Sequence, residues 1–205
     1  MTISDSIIGL ILAGGRSRRM GTDKAFLTLG GETLLARTIA RAKPQVGELL
    51  INANGDPSRF AGFGLPLIED SIGGYLGPVA GILSGLEWVR ANRPKVKWLA
   101  SFACDCPFFP LDMVERLIAK AEGENIFVAL AASSGRHHPV FAVWRTDLPA
   151  VPKTILQDQG LRKMDDFVAL FPNTRIEFRV GDVDPFFNIN TPDDLKHADE
   201  ILNKI

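Results

Sequence analysis

Four cations follow two glycines in the run Leu12-Ala13-Gly14-Gly15-Arg16-Ser17-Arg18-Arg19-Met20-Gly21-Thr22-Asp23-Lys24. Gly14 and Gly15 let a backbone turn sharply and point N–H groups at an anion with no Cβ in the way, while Arg16, Arg18, Arg19 and Lys24 add countercharge. The chemistry that suits these types at this spacing is the holding of a phosphate chain. The dinucleotide fingerprint G-x-G-x-x-G and the P-loop G-x-x-x-x-G-K-[ST] both fail to fit. For Gly-Gly alone, a strand-to-helix turn with solvated arginines is the better reading. Four cations with Asp23-Lys24 favour phosphate.

Other candidate groups are scattered along the chain. Asp105 follows an apolar run, 96–103, and a carboxylate there can hold Mg²⁺, which keeps several waters and takes its remaining ligands from phosphate. The alternative is a helix-capping aspartate before Pro107. Cys104 and Cys106 flank it; zinc needs about four ligands and only three histidines exist elsewhere, so a zinc site is rejected. Asn52 ends the run 49–53, where its amide could donate and accept as a guanine edge requires, or serve as an ordinary turn residue. Asp70-Ser71 taken alone reads as a turn pair. Asn188 and Asn190 put two amides on one side of a short extended segment, next to the cap-forming Thr191-Pro192. Gly81 would let backbone come close to a ligand, and Gly73-Gly74-Tyr75-Leu76-Gly77-Pro78 leads into a helix N-terminus. The run Arg136-His137-His138-Pro139 reads equally as a hairpin turn with solvated histidines and as an anion contact.

To bring these groups together the chain needs a sheet that gathers strand ends. Residues 7–13 form a short, nearly continuous apolar stretch closed by glycines, the pattern of a parallel strand covered on both faces. Residues 49–53, 65–68, 96–103 and 126–130 are further strand candidates. Helices are predicted over 33–43, 79–91 and 111–121, the last two beside prolines suited to a first turn. Alternating strands and helices imply right-handed crossovers and a mostly parallel sheet. In such a sheet ligands collect at the carboxyl ends of the strands, where the glycine loop and Asp105 both fall. Toward the C-terminus, 139–144 and 175–180 read as strands of an antiparallel excursion. A final helix over 192–203 starts at Thr191, with Asp193 and Asp194 in its first turn. The expectation is one three-layer, doubly wound α/β domain spanning residues 1–205.

Composition narrows the partners. A formal net charge of −1 gives no overall field toward nucleic acid or an anionic membrane, so neither is expected as a partner. The N-terminal residues lack the basic region of a signal peptide, and no apolar run approaches the roughly 20 residues a membrane span needs. Cys104 and Cys106, two apart and alone, disfavour a disulfide and fit a reducing cytoplasm.

The motifs together resemble one family. Leu12-Ala13-Gly14-Gly15-x-x-Arg18-x-Met20-Gly21 with Asp23-Lys24 looks like the signature loop of the molybdenum cofactor guanylyltransferases, the MobA family. The similarity continues in order and spacing through Ile51-Asn52-Ala53-Asn54, Ile68-Glu69-Asp70, Gly77-Pro78-Val79-Ala80-Gly81, Cys104-Asp105-Cys106-Pro107 and Asn188-Ile189-Asn190-Thr191-Pro192. The resemblance implies transfer of GMP from GTP to the phosphate of a molybdopterin cofactor, with Mg²⁺ on Asp105. It implies that Lys24 and Arg18 offset charge on the leaving pyrophosphate, and that Leu12, Ala13, Gly14, Gly15, Asn52 and Asp70 line the nucleotide site. Asn188 and Asn190 are placed near the metal. Arg136 and His138 become candidate contacts to the pterin, and molybdoenzyme apoproteins or cofactor-insertion proteins become further candidate partners. A cytidylyl- or sugar-phosphate nucleotidyltransferase, and a noncatalytic GTP-binding carrier of the cofactor, are the competing readings.

Overall fold

The computed structural model describes residues 6–14, 23–72, 77–151, 161 and 163–203. The loop residues Gly15, Arg16, Arg18 and Arg19, and the approach 73–76, lie outside the described residues.

The apolar run that opens the chain becomes β1 (Ile7–Leu12), all six of whose residues are buried. Each fully buried Ile or Leu side chain contributes about 1.5–3 kcal/mol, so this strand alone anchors the middle of the molecule. It pairs in parallel with β4 (Glu48–Asn52) on one side and β6 (Trp98–Ala103) on the other. A small hairpin of β2 (Thr28–Leu29) and β3 (Glu32–Thr33) stands apart, and β5 (Leu67–Ile68) extends the sheet beyond β4. On the far side come β7 (Val128–Ser133), β8 (Arg136–Arg145) and β9 (Asn173–Glu177), giving the seven-stranded order β5-β4-β1-β6-β8-β7-β9.

The expected parallel sheet with an antiparallel excursion is present, and the excursion is a single strand. β8 runs against both neighbours, β6 and β7, whereas β9 lies parallel to β7. Ser134 and Gly135 join β7 to β8 with φ of 48° and 74°, the two positive angles of a tight hairpin. Between Leu130↔Ala142 and Ala131↔His138 the ladder skips three residues of β8. Pro139 is among them, and a proline has no N–H to give a ladder. β8 therefore shifts register just after its histidines.

Helices cover both faces. α1 (Leu34–Ala42) and α3 (Met113–Glu124) pack with Ile7, Ile11, Ile51, Phe102 and Val143. α2 (Pro78–Asn92) and the short α4 (Met164–Val168) pack with Ile8, Leu10, Leu12, Leu99 and Trp144 on the other face. α2 lies unusually close to the sheet because it carries Gly81 and Gly85, where a Cβ would come within 2.6 Å of Leu12 and of Leu10 respectively. The last helix, α5 (Pro192–Leu202), begins at the expected Thr191 with a full capping box to Asp194 and packs on the β2–β3 hairpin through Leu29, Ile189 and Ala198. α3 starts two residues later than its sequence suggests, with Asp112 at the N-cap position but no side-chain cap bond, so Pro110 precedes the helix instead of opening it. No helix among the described residues is long and apolar enough to cross a membrane.

Candidate active site

Leu12 of β1 is level with Asn52 and with Ala103, and Asn52 with Ile68. Four parallel strands thus end on one edge, and the residues that follow them share a crevice. Ala13 donates its N–H to the Asn52 carbonyl at 2.9 Å, so Gly14 is the first exposed residue of the loop. A Cβ at Gly14 would meet nothing closer than 3.6 Å. Packing against the described residues therefore does not require glycine there.

Lys24 opens a short 3₁₀ turn, Lys24–Phe26, capped by the Asp23 carboxylate, which accepts from the Ala25 N–H and pairs with Arg59 at 3.2 Å. From this turn the Lys24 ammonium donates to Asp105 Oδ2 at 3.0 Å and to Asn190 Oδ1 at 2.6 Å. Three groups separated by 81 and 166 positions in sequence meet at one point. Asp105 is fixed from both sides: its carbonyl accepts the Ile189 N–H at 2.9 Å, and the Cys106 thiol lies 3.9 Å from Oδ1. Burial, reinforced by the Asp105 charge, pushes the Cys104 and Cys106 thiols up, so both remain protonated. Both cysteines are buried and free.

The donor set suits a hard divalent cation that shares its shell with phosphate. Asp105 is the one carboxylate, and the neutral amide oxygens of Asn190 and Asn188 belong to the adjoining segment. Asn188 Oδ1 is buried without a hydrogen-bond partner, an orphaned acceptor two residues from Asn190. No group of three His, Cys, Asp or Glu among the described residues is arranged as an all-protein cage. One carboxylate with neutral oxygens is what Mg²⁺ uses when phosphates complete its coordination.

On the β4 side, Asn52 is 4% exposed. Its Nδ2 donates to the Ile68 carbonyl at 3.3 Å and to Asp70 Oδ1 at 3.0 Å, which spends both N–H groups and fixes the amide's orientation. Its Oδ1 lies against Gly81, where a Cβ would come within 2.3 Å of that oxygen. The glycine expected to admit a ligand thus first admits Asn52. Asp70 is held a second time by Asn54, whose amide donates to Oδ2 at 2.8 Å and accepts the Asp70 N–H at 3.0 Å. Asn54 belongs to the motif but is not among the sequence-derived candidates; its place two residues after Asn52, on the same side of the chain, is the signal that could have found it.

On the β8 side, Arg136 and His137 are exposed, with His137 against Arg175, while His138 is half-buried. The run read as a turn with solvated histidines is instead the start of β8, the turn itself lying at Ser134-Gly135, and of the two histidines only His137 is solvated. His138 stacks on Phe186, ring centroids 4.6 Å apart, and its Nε2 lies 2.7 Å from Ser133 Oγ. Ser133 in turn lies 2.9 Å from both carboxylate oxygens of Asp184. Burial lowers the His138 pKa, opposed in part by Asp184. Ser133 and Asp184 carry no local sequence signal, because their partnership spans 51 residues. Residues 184–190 run as one strap from this cluster, through Phe186 and Ile189, to Asn190 on Lys24.

These groups occupy the strand-end crevice in which open α/β sheets hold nucleotides. The MobA-like NTP transferase domain family matches residues 9–170, and the chain belongs to it. It is 47% identical over 193 residues to the molybdenum cofactor guanylyltransferase of Rhodopseudomonas palustris, across 94% of this chain and 92% of that protein. Among solved structures, the molybdopterin-guanine dinucleotide biosynthesis protein A of Archaeoglobus fulgidus matches with a TM-score of 0.72 at 23% identity, over 97% of this chain and all of that one. A manganese complex of a Mycobacterium tuberculosis protein matches with a TM-score of 0.62 at 17% identity, over 95% and 98% of the two chains.

Proposed function

We propose that this protein transfers the GMP moiety of GTP to the terminal phosphate of a molybdopterin cofactor and releases pyrophosphate. The observation that carries this reading is near-full-length identity of 47% to a guanylyltransferase, in a chain that brings Lys24, Asp105 and Asn190 to one point. An oxygen of the acceptor phosphate forms the new bond to the α-phosphorus of GTP, and the bond from that phosphorus to the bridging oxygen breaks in line. No protein nucleophile is required, since a phosphate monoester is already largely anionic near neutral pH and positioning with charge neutralisation carries the catalysis.

Asp70, held by Asn52 and Asn54, accepts from the guanine N1–H and amino group with its remaining lone pairs, and Asn52 Oδ1 adds a further acceptor. Lys24 moves from Asp105 to the triphosphate as the nucleotide enters, joined by Arg18, Gly14 and Gly15 of the loop. Asp105, with Asn190 and Asn188, would hold Mg²⁺, which would supply charge stabilisation at the phosphates. The manganese-bound relative in fold is in keeping with a divalent ion.

The test measures pyrophosphate release with GTP, CTP and ATP, each offered a pterin phosphate or a sugar phosphate, with and without Mg²⁺. Release is expected only with GTP, the pterin acceptor and metal. A preference for CTP would overturn the guanine assignment, and GTP binding without release would make the protein a carrier.

A further inference from the structure

The cluster at the start of β8 decides which nitrogen of His138 carries its proton, and so what that ring can recognise. Asp184 accepts the Phe186 N–H at 2.9 Å, and its two oxygens face the single hydroxyl proton of Ser133. An ionised carboxylate can only accept, so the Ser133 proton points at Asp184. Ser133 Oγ then has only lone pairs left for His138, and Nε2 at 2.7 Å has to be the donor. In the neutral ring this leaves Nδ1 bare. That atom has no hydrogen-bond partner among the described residues and is not among the buried unpaired atoms, so it is accessible from outside the protein.

Placement says what meets it. β8 lies beside β6 and runs against it, so its first residues share the edge at which β6 delivers Asp105. The strap from Phe186, which stacks on His138, to Asn190, which holds Lys24, is four residues long and spans at most about 14 Å. His138 therefore stands at the same strand edge as the Lys24–Asp105 pair and beside the strap that leads to it, within reach of an acceptor whose phosphate is held by that pair.

We infer that His138, fixed as its Nε2–H tautomer by Ser133 and Asp184, binds the heterocyclic end of the acceptor by accepting a hydrogen bond at Nδ1 from a ring N–H or amino donor. His138 is the contact, and Ser133 and Asp184 are positioning residues that act through it. The lowered pKa of His138 keeps the ring in the neutral form this requires, with Arg136 and His137 acting in the same direction and Asp184 and Glu177 opposing. The inference rests on the guanylyltransferase reading for the identity of the acceptor, but the tautomer does not.

Nitrogen NMR of the full-length protein, free and near pH 7.5, reads the tautomer directly, and the chain has only three histidines to assign. The expected spectrum has His138 protonated at Nε2 and bare at Nδ1. Asp184→Asn should reverse this, because its amide can donate to Ser133 and turn the hydroxyl proton toward Nε2. His138→Phe keeps a ring to stack on Phe186 and removes the acceptor; it should raise KM for the pterin phosphate roughly fivefold to tenfold, the value of one hydrogen bond, and leave KM for GTP unchanged. Asp184→Asn should raise the same KM in the same direction. A proton on Nδ1 in the parent protein, or an active His138→Phe variant with an unchanged acceptor KM, would overturn the subsite. Absence of turnover in the parent would instead overturn the guanylyltransferase reading, and the pterin with it.

Discussion

The two sides of β6 are built differently. On the β5-β4-β1 side every pairing is parallel, and each candidate group leaves the sheet within two residues of a strand end: Gly14 after Leu12, Asn52 and Asn54 at and after the end of β4, Asp70 after Ile68. On the β8-β7-β9 side an antiparallel strand interrupts the pattern. Its groups come from a hairpin, a register shift and a strap that returns from residues 184–190. The side proposed to hold the base is assembled by local chain geometry, and the side proposed to hold the acceptor by tertiary contact. Asp105 stands at the junction, tied to the loop through Lys24 and to the strap through Ile189.

Breaking the junction should have the largest effect. Asp105→Ala removes the carboxylate that both sides share, and turnover with GTP, acceptor and Mg²⁺ should fall at least about a hundredfold. The fold should persist, because the Lys24–Asp105 pair is partly solvated and contributes only about 1 kcal/mol. Parallel assays of pyrophosphate release and thermal unfolding check both statements, and full activity in this variant would remove Asp105 from the metal. Lys24→Ala should come next, weakening turnover or triphosphate binding while the acceptor KM stays close to the parent's. Unchanged GTP kinetics would deny Lys24 its phosphate role.

The base side can be disturbed by itself at Gly81. In Gly81→Ala the new methyl would sit 2.3 Å from Asn52 Oδ1 and 2.6 Å from Leu12 Cδ2. Either Asn52 leaves Asp70 or α2 lifts from the sheet, at a cost of about 1–3 kcal/mol. KM for GTP should rise roughly tenfold, the value of one to two hydrogen bonds, and KM for the acceptor should not move. An equal rise in both would mean that the two sides are not separable.

The same asymmetry decided what could be read in advance. Buried parallel strands write themselves as continuous apolar runs, so β1, β4, β5, β6 and β7 were legible within a few residues, as was α5 from its cap. Of the groups on the β4 side, Gly14 and Asn52 stood out at strand ends, Asp70 gained a role only through the family resemblance, and Asn54 was not singled out. Three things were not. The β2–β3 hairpin is two residues per strand, too short for any period. α4 is five residues long and is held by Phe167 packed between Trp144 and Phe171, a tertiary contact. Ser133 and Asp184 meet only because β7 and the strap end at the same edge. His138 was visible as a histidine beside a proline, but whether it offers a proton or a lone pair depends on Ser133, 5 residues before it, and on Asp184, 51 residues beyond Ser133.

The smallest effect belongs to the acceptor side and is one of pH. Burial, the largest influence on the ring, holds the folded-state pKa of His138 below its ordinary value of about 6.5. Well above that pH the ring is neutral whether the chain is folded or not, and the histidine adds no slope. As pH falls through about 6.5 the unfolded chain takes up a proton that the folded one refuses, so stability drops until the folded-state pKa is passed, where the slope from this group ends. Thermal unfolding of the parent between pH 7.5 and 5.5 should therefore show a decline that His138→Gln lessens, whatever offset that substitution makes to stability at neutral pH. The Gly81→Ala variant, disturbed only on the base side, should keep the parent's slope. Identical slopes in the parent and His138→Gln would mean that the imidazole titrates freely in the folded protein and that burial does not hold it neutral.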